Sequence, residues 1–352
     1  MNPRRLEAFY RERSDRGEPL VLATVTETRG STYSKAGAHM LIGRDGIFQG
    51  MLSGGCLEGD LAIRAAAVLE SGIPQSVTYD LSDENDDLWG LGVGCDGLLR
   101  VFLQPLDARD GYEPYASVAS LQNGREPFAV ATMLEDKAGL PAGAGVIVVG
   151  NETRPFGLAS AELEALSRVA ATARDKGSSG VESATLGEDS VDVMIALLRP
   201  VPRLLILGAG LDAEPVLRFG NELGWVCTVA DHRPGYLERG GFESAEQTVC
   251  APAAELAATL DLDDYDLAIV MSHHLVSDQA YLEALADSAV GYVGLLGPIA
   301  RRERLVGAIG AAAERLEGRL HGPAGLDIGG RGPGAIALSI VAAMQMQLAG
   351  KT

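Results

Sequence analysis

The order of apolar and polar residues divides the chain into two parts with different patterns. Beyond residue 202, the short apolar runs RLLILG, WVCTVAD, LAIVMS and GYVGLLG alternate with segments of helical spacing. Alternation of this kind is typical of a parallel sheet with crossover helices. Residues 199–202, Arg-Pro-Val-Pro, form a stiff connector before it, because proline fixes its own backbone angle φ. We therefore predict one domain over residues 1–199 and a second, with a doubly wound parallel sheet, over residues 200–352.

The N-terminal part mixes apolar strands with single helices, which predicts a module of the α/β class. The segments LVLATVT, HMLIG and LLRVFLQPL have the composition of strands. Asp45 and Gly46 stand between two segments of alternating polarity, and an Asp-Gly pair in this position indicates a β-hairpin. Apolar residues then recur at helical spacing from Leu57 to Val68, and Gly72 ends that helix. No internal repeat is visible in the sequence.

Composition narrows the classes of function. The chain has 352 residues, with 29 Lys and Arg against 48 Asp and Glu and a net charge of −19. Nucleic acids and anionic membranes require a cationic face, so neither is an expected partner. No apolar stretch reaches the roughly 20 residues of a membrane span, and the charged N-terminus lacks the apolar core of a secretory signal. Four cysteines without a CxxC pair predict neither disulfides nor a metal site, and we expect a cytoplasmic protein.

A glycine-rich turn follows the first predicted strand of the C-terminal domain. Gly208, Gly210 and Ala213 form a GxGxxA string between RLLILG and a helix. The two glycines permit a tight turn and the approach of a phosphate, and alanine permits close packing of the helix. Asp231 ends the next predicted strand and is expected to bind a ribose hydroxyl, while Arg233 could accept a 2′-phosphate. This context predicts a Rossmann-type fold that binds NAD(P) or another nucleotide, although the same turn also serves as plain architecture.

Further polar residues are expected at the carboxyl ends of the same strands, where open α/β sheets bind ligands. His232 follows one strand, and His273 and His274 follow another. We interpret the adjacent pair as a polar loop that caps its strand. Arg301, Arg302 and Arg304 form either an anion clamp or a solvated helix face.

A loop of the N-terminal domain combines glycine with cysteine. Ser53, Gly54, Gly55 and Cys56 directly precede the predicted helix. This spacing predicts that Cys56 lies in the first helical turn, where the helix dipole favours the thiolate. Gly54 and Gly55 are expected to present backbone N–H groups to an anion.

A second loop, GVGCDG, contains Gly94 and Cys95. A cysteine in a glycine loop has little side-chain packing around it, so Cys95 is a second candidate for chemistry. Cys227 and Cys250 are interpreted as ordinary small apolar residues. We expect Cys56 to be the most reactive of the four thiols and Cys95 to lie close to it.

A third loop, TRGSTYSKAG, contains Arg29 and Lys35. Two cations in a polar turn between strands suit contact with phosphate or carboxylate. The alternative is a loop without a ligand.

Taken together, these segments resemble a known family. TETRGSTYSKAGAHMLI, LSGGCLEGDLAIRA and GVGCDGLLRVFLQPL are similar to the N-terminal module of the XdhC/CoxI family, the xanthine dehydrogenase accessory and carbon monoxide dehydrogenase maturation proteins. PRLLILGAGLDAEP, VADHRPGYL, YVGLLGPIARRERL and LDIGGRGPGAIALSIV are similar to its Rossmann module. The resemblance implies a maturation factor that binds molybdenum cofactor of the molybdopterin type, assists its sulfuration and inserts it into a molybdenum hydroxylase.

The resemblance also implies roles for residues and partners. It implies that Cys56 and Cys95 handle cofactor or sulfur. It implies a molybdenum hydroxylase client, a cysteine desulfurase and a homodimer as partners. The residues that it places against pterin or phosphate are Arg29, Lys35, Ser53, Gly54, Gly55 and Gly94.

Two departures from the family pattern leave the client enzyme open. Tyr33, Ser34 and Lys35 stand where many members have a Pro-Arg pair, and lysine lacks the bidentate fork of arginine. GAGLDAEP also differs from the GAGHVA form of the xanthine dehydrogenase branch.

Three functions are therefore compared. An accessory protein that does not turn over a metabolite explains both cysteine loops. An NAD(P)-dependent oxidoreductase would use only the Rossmann domain, and no dehydrogenase signature surrounds its histidines. A binding module that senses nucleotide is the third alternative.

Overall fold

The computed structural model describes residues 2–80, 97–158 and 163–351, which form two compact units, residues 1–200 and 201–352. In these ranges the α-helices are α1 (Pro3–Ser14), α2 (Glu58–Ser71), α3 (Tyr115–Gln122), α4 (Leu163–Lys176), α5 (Ala213–Glu222), α6 (Pro234–Glu238), α7 (Leu256–Thr259), α8 (Leu275–Ala286), α9 (Ile299–Ile309) and α10 (Pro333–Leu348). The strands are β1 (Leu20–Gly30), β2 (His39–Gly43), β3 (Phe48–Gln49), β4 (Gln75–Asp80), β5 (Gly97–Leu106), β6 (Phe128–Met133), β7 (Gly145–Val149), β8 (Glu152–Phe156), β9 (Gly180–Leu186), β10 (Asp189–Leu198), β11 (Arg203–Leu207), β12 (Val226–Asp231), β13 (Gln247–Cys250), β14 (Leu267–Val270), β15 (Tyr292–Leu295) and β16 (Leu320–His321). No helix in the described ranges is both long and apolar enough to cross a membrane.

The first sheet of the N-terminal unit is antiparallel, with the strand order β3-β2-β1-β5-β4. Helix α2 covers one face of this sheet. Leu61, Ala65 and Val68 lie on one side of the helix because of their spacing, and they pack with Val21 and Val101 of the strands. The opposite face of this sheet packs against other parts of the N-terminal unit.

The second sheet repeats this arrangement, with the strand order β8-β7-β6-β10-β9. Helix α4 lies between its third and fourth strands in sequence, as α2 does in the first sheet. Each of these helices is followed by a glycine, Gly72 at φ 70° and Gly177 at φ 71°. The expectation of no internal repeat is therefore wrong at the level of topology. The two halves share strand order and apolar positions rather than residue identities, so the sequence does not display the repeat.

The inner faces of the two sheets form a common core. Leu20 and Leu22 of β1 cluster with Phe128 and Val130 of β6 and with Tyr115 of α3. Each sheet is thus covered by its partner sheet on one face and by its own helix on the other. Because both faces of each sheet are covered, we expect polar functional side chains in the loops at the ends of the sheets.

The C-terminal unit has a six-stranded parallel sheet in the order β13-β12-β11-β14-β15-β16. Val216 of α5 and Ile340 of α10 pack on one face, and Tyr281 of α8 and Leu305 of α9 pack on the other. The chain moves outward from β11 first to one side and then to the other, which creates a switch point between β11 and β14. The predicted Rossmann-type doubly wound sheet is confirmed.

Candidate functional site

Two loops of the N-terminal unit meet at one end of the first sheet. Residues 31–38 connect β1 to β2, and residues 50–57 connect β3 to α2. The Tyr33 ring lies against Gly54, where a Cβ atom would be 3.3 Å from Tyr33 Cδ2. The structure therefore brings the polar loop next to the loop that contains Cys56.

Glu58 accepts hydrogen bonds from several groups of the loop of residues 50–57. Its Oε1 accepts hydrogen bonds from the N–H groups of Leu52 and Ser53, both at 2.8 Å. Its Oε2 accepts from the Gly55 N–H at 3.0 Å and from the Ser53 hydroxyl at 2.5 Å. The Ser53 hydroxyl oxygen in turn accepts from the Leu57 N–H at 2.8 Å. The anion that this loop holds is therefore a carboxylate of the same chain.

The electrostatics of Glu58 follow from this geometry. Only 2% of the residue is exposed. Burial by itself raises the pKa of Glu58, but hydrogen bonds from the Ser53 hydroxyl and from the Ser53 and Leu52 N–H groups outweigh it and hold the pKa below its ordinary value. Glu58 is therefore charged at neutral pH, and its charge faces the N-terminal end of α2, where the helix dipole favours an anion.

Cys56 lies outside the helix, so the prediction that it stands in the first turn is wrong. Helix α2 begins at Glu58, and Leu57 is its N-cap. Gly54 and Gly55 have φ angles of 81° and 108°, which side-chain-bearing residues rarely adopt, so the chain turns sharply before the helix. The Gly55 N–H, which was expected to face an anionic ligand, bonds to Glu58 instead. Cys56 itself is a free and exposed cysteine.

Arg29, near the end of β1, and Lys35, in the loop of residues 31–38, are both exposed. The Arg29 side chain is 75% exposed and pairs at 2.8 Å with Glu27, which also contacts Arg100 at 3.1 Å. Lys35 Nζ lies 3.4 Å from the Thr32 hydroxyl. Exposed contacts of this kind are weak, so neither cation is held firmly in place.

The other cysteine loop is not described. Gly94 and Cys95 lie outside the described residues, and the described chain resumes at Gly97. A Cβ atom at Gly97 would lie 2.6 Å from the Arg29 carbonyl oxygen, so this close approach requires glycine. The expected proximity of Cys95 to Cys56 remains a prediction.

Gly208, the first glycine of the GxGxxA turn, is needed for close packing of the backbone. Gly208 has a φ of 121°, and a Cβ atom there would lie 2.5 Å from Ser272 Cα. Ala213 at the start of α5 is fully buried. At Gly210 a Cβ atom would meet, at 2.8 Å, an oxygen of the flexible Asp212 side chain. Gly208 is therefore required by the close approach of the Ser272 backbone, whereas Gly210, also buried, faces the Asp212 side chain.

Asp231 is fully buried, and its carboxylate is saturated with hydrogen bonds. Oδ2 accepts from the Ala209 N–H at 2.7 Å and from Arg233 Nη2 at 2.8 Å. Oδ1 accepts from the Arg233 N–H and Nε, both at 2.9 Å. The Arg233 guanidinium also donates to the Ser272 carbonyl at 3.1 Å and lies 3.6 Å from the centre of the Tyr236 ring. Burial raises the pKa of Asp231, but the hydrogen bonds from Arg233 and Ala209 lower it more.

This arrangement does not fit the predicted contact between Asp231 and a ribose hydroxyl. Each carboxylate oxygen already accepts two hydrogen bonds, and the residue has no exposed surface. A ribose could bond to Asp231 only after the Arg233 guanidinium had left. An internal ion pair thus stands where an NAD(P) ribose was expected.

Three histidines lie at the same edge of the parallel sheet. His274 Nδ1 is 2.9 Å from the Ser277 hydroxyl, and His232 Nε2 is 3.4 Å from it. His273 Nε2 lies 2.9 Å from Asp212. Burial lowers the pKa of His232. Over the described ranges of the chain, no group of three or more His, Cys, Asp or Glu side chains is arranged to hold a metal ion.

Sequence reasoning missed two buried carboxylates at these sites. Glu58 is one of them, and its signal is an acidic residue that begins a helix shortly after a serine-glycine turn, as in a capping pattern. Asp278 is the other. It is 1% exposed, pairs with Arg301 at 2.6 Å and accepts from the Ser272 hydroxyl at 2.5 Å. Arg301 is therefore held by a buried partner rather than lying on a solvated helix face.

Comparison with known proteins gives consistent matches. The model of the XdhC and CoxI family matches residues 14–80, and that of the XdhC Rossmann domain matches residues 204–344. A Bacillus subtilis protein, named as a probable subunit of xanthine dehydrogenase, is 30% identical over 92% of both chains. A molybdenum cofactor insertion chaperone from Escherichia coli is 22% identical over 80% of this chain and 68% of its own length. A crystal structure of a xanthine dehydrogenase from Bacillus halodurans matches with a TM-score of 0.81 and 28% identity, over 100% of this chain and 97% of the other.

Proposed function

Because the chain belongs to the XdhC and CoxI family, we propose that it is a maturation factor for a molybdenum enzyme. It binds the molybdenum cofactor as cargo, assists sulfuration of the cargo and inserts it into a molybdenum hydroxylase of the xanthine dehydrogenase or carbon monoxide dehydrogenase type. One relative is named as a molybdenum cofactor insertion chaperone, which supports molybdenum cofactor as the cargo. The further partners in this proposal are a cysteine desulfurase as sulfur donor and a second copy of the chain.

The observation that carries the proposal is an exposed thiol on an ordered loop. Cys56 is exposed and stands between residues whose N–H groups are hydrogen-bonded to Glu58 and Ser53. A thiolate binds soft metals and takes part in sulfur transfer. Arg29 and Lys35 lie on or beside the adjoining loop and supply positive charge for the phosphate of a pterin cargo. In this proposal Cys95 completes the sulfur-handling pair, and Gly94 contacts the cargo.

The experiment that tests the proposal is identification of the bound cargo. The full chain is purified from molybdenum-replete cells, and its small molecules are identified by mass spectrometry. We expect molybdopterin-type cofactor in the wild type and its loss in the Cys56→Ser variant. Equal recovery of cofactor with both proteins contradicts the role of Cys56. Absence of cofactor from the wild type, together with no increase in client activity on addition of the protein, contradicts the proposed function.

The oxidoreductase alternative lacks comparable support, because Arg233 occupies the carboxylate that an NAD(P) ribose would contact. Calorimetry with NAD and NADP tests this conclusion. We expect no heat of binding with the wild type. In Arg233→Ala the Asp231 carboxylate is released, and weak NAD binding is expected. Tight binding of NAD by the wild type would restore the alternative.

A further inference from the structure

The backbone on both sides of Cys56 is held by hydrogen bonds. On one side the Gly55 N–H donates to Glu58 at 3.0 Å. On the other side the Leu57 N–H donates to the Ser53 hydroxyl at 2.8 Å, and Leu57 is 1% exposed. The exposed cysteine therefore stands between two fixed points, and the same carboxylate–serine pair supplies both of them.

The position of Glu58 is not explained by its interaction with the helix dipole alone. A residue that acts only on the dipole can stay in solvent, whereas Glu58 is buried and reaches back to the N–H groups of Leu52, Ser53 and Gly55. Leu52 is itself fully buried, so the carboxylate ties the loop to a fixed part of the core. The Ser53 hydroxyl donates to Glu58 and accepts from Leu57, so its hydrogen bonds run along the whole loop.

We propose that Glu58 is a positioning residue that orders the loop of residues 52–57 and so fixes the Cys56 thiol for the cargo. The inference rests on the proposed function for its biological meaning. It also assigns the negative groups of the cargo to other partners. Because Glu58 already accepts hydrogen bonds from the Leu52, Ser53 and Gly55 N–H groups, the proposal assigns a phosphate of the cargo to the cations Arg29 and Lys35.

The second half of the N-terminal unit offers an internal comparison. When the fully buried Leu166 of α4 is matched with the fully buried Leu61 of α2, Leu163 takes the place of Glu58 in the sequence. The second half therefore has no carboxylate at the position that corresponds to Glu58.

The test compares Glu58→Gln with the matched control Glu70→Gln, which changes an exposed glutamate on the same helix. Three properties of the full chain are measured: hydrogen–deuterium exchange of residues 52–57, the alkylation rate of Cys56 by iodoacetamide, and affinity for isolated molybdenum cofactor. In Glu58→Gln we expect exchange in the loop to rise about tenfold or more, since its N–H groups lose an ionic acceptor. Alkylation of Cys56 is expected to speed up at least about threefold, because the loop loosens and the thiol becomes more accessible. Cofactor affinity is expected to fall about tenfold.

Ser53→Ala provides a milder second variant in case Glu58→Gln does not fold. It removes the hydroxyl that links Glu58 to Leu57, and the same three changes are expected with smaller amplitude. Loop changes that are absent from Glu70→Gln, measured at a temperature where every variant is fully folded, support a positioning role over a purely structural one.

The outcomes separate this inference from the proposed function. Unchanged exchange and unchanged Cys56 alkylation in Glu58→Gln overturn the positioning role, whatever the cargo is. Loosening of the loop with full cofactor affinity overturns it as well. If the wild type binds no cofactor but Glu58→Gln still alters exchange and alkylation, the proposed function fails and the positioning of Cys56 stands.

Discussion

The two halves of the N-terminal unit, residues 20–106 and 128–198, have one topology and different chemistry. When the fully buried Leu61 and Leu166 are aligned, Ala65 corresponds to Ala170, and these two are also fully buried. In the same alignment Cys56 corresponds to Ala161 and Glu58 to Leu163 in the sequence.

The comparison teaches which features belong to the scaffold and which to a site. Sheet order and the buried leucines recur, so they belong to the scaffold. The Gly54-Gly55 turn, the exposed thiol and the buried Glu58 are features of the loop before α2, and we assign them to the site.

Leu61→Ala and Leu166→Ala test the shared scaffold. Each removes a fully buried side chain that packs between a helix and its sheet. Each is expected to lower the free energy of unfolding by about 2–5 kcal/mol. Urea unfolding followed by circular dichroism measures both. The two halves are not equivalent if alanine lowers the free energy of unfolding by less than about 1 kcal/mol at one position and by more at the other.

Cys56→Ser tests the chemistry that is confined to the first half. Serine keeps the size of the side chain but removes thiolate chemistry. We expect activation of a molybdenum hydroxylase client to fall about tenfold or more, with an unchanged thermal midpoint. Cys250→Ser, at an exposed cysteine of the other unit, is the control and is expected to remain active. Iodoacetamide is also expected to label Cys56 much faster than the buried Cys227. Equal labelling rates and full activity of Cys56→Ser would show that Cys56 has no role in handling sulfur or cofactor.

The pH dependence of Glu58 sharpens the contrast further. The folded pKa of Glu58 lies below the ordinary value of 4.5, so its contribution to stability is present above 4.5 and is lost as the pH falls through the folded pKa. Glu58→Gln is therefore expected to cost about 1–3 kcal/mol near pH 7, and the difference from the wild type is expected to disappear in acid. Leu163→Gln in the second half should show no such pH dependence. Unfolding curves at several pH values measure it, and a penalty for Glu58→Gln that stays constant into acid argues against a charged Glu58 in the loop.

The smallest effect is expected for the exposed cations. Lys35 and Lys137 lie in the corresponding first connections of the two halves. Lys35→Ala is expected to weaken cofactor binding by a few-fold, as fits an exposed contact of about 0.2–1 kcal/mol. Lys137→Ala is expected to have no effect. Titrations at two salt concentrations measure both, and equal losses in the two variants would indicate general charge attraction rather than a site.

Periodicity was sufficient to predict the parallel sheet, because each short apolar run of the C-terminal part is buried on both faces and separated by a helix. It was insufficient for the repeat, since the halves share buried positions such as Leu61 and Leu166 and little else. A pattern of apolar residues specifies what is buried, but not that two stretches have the same strand order.

The candidate site could be predicted only in part, for a different physical reason. Glycine and cysteine in one loop marked the place, but hydrogen bonds that fold back across a turn depend on backbone geometry. Glu58 therefore appeared as an ordinary first-turn residue. Asp231 illustrates the same limit, because the fingerprint predicts a ribose contact and does not show that Arg233, two residues on and free to fold back, fills the carboxylate.

The face-to-face packing of the two sheets also has a consequence for synthesis of the chain. A ribosome releases residues 20–106 before residues 128–198. Until the second sheet emerges, Leu20, Leu22 and Leu41 on the inner face of the first sheet have no partner sheet to cover them. Uncovered apolar faces of nascent chains attract other nascent chains or general chaperones. A protein that we propose as a chaperone for a cofactor is thus expected to need protection itself during translation, until its second half completes the sandwich.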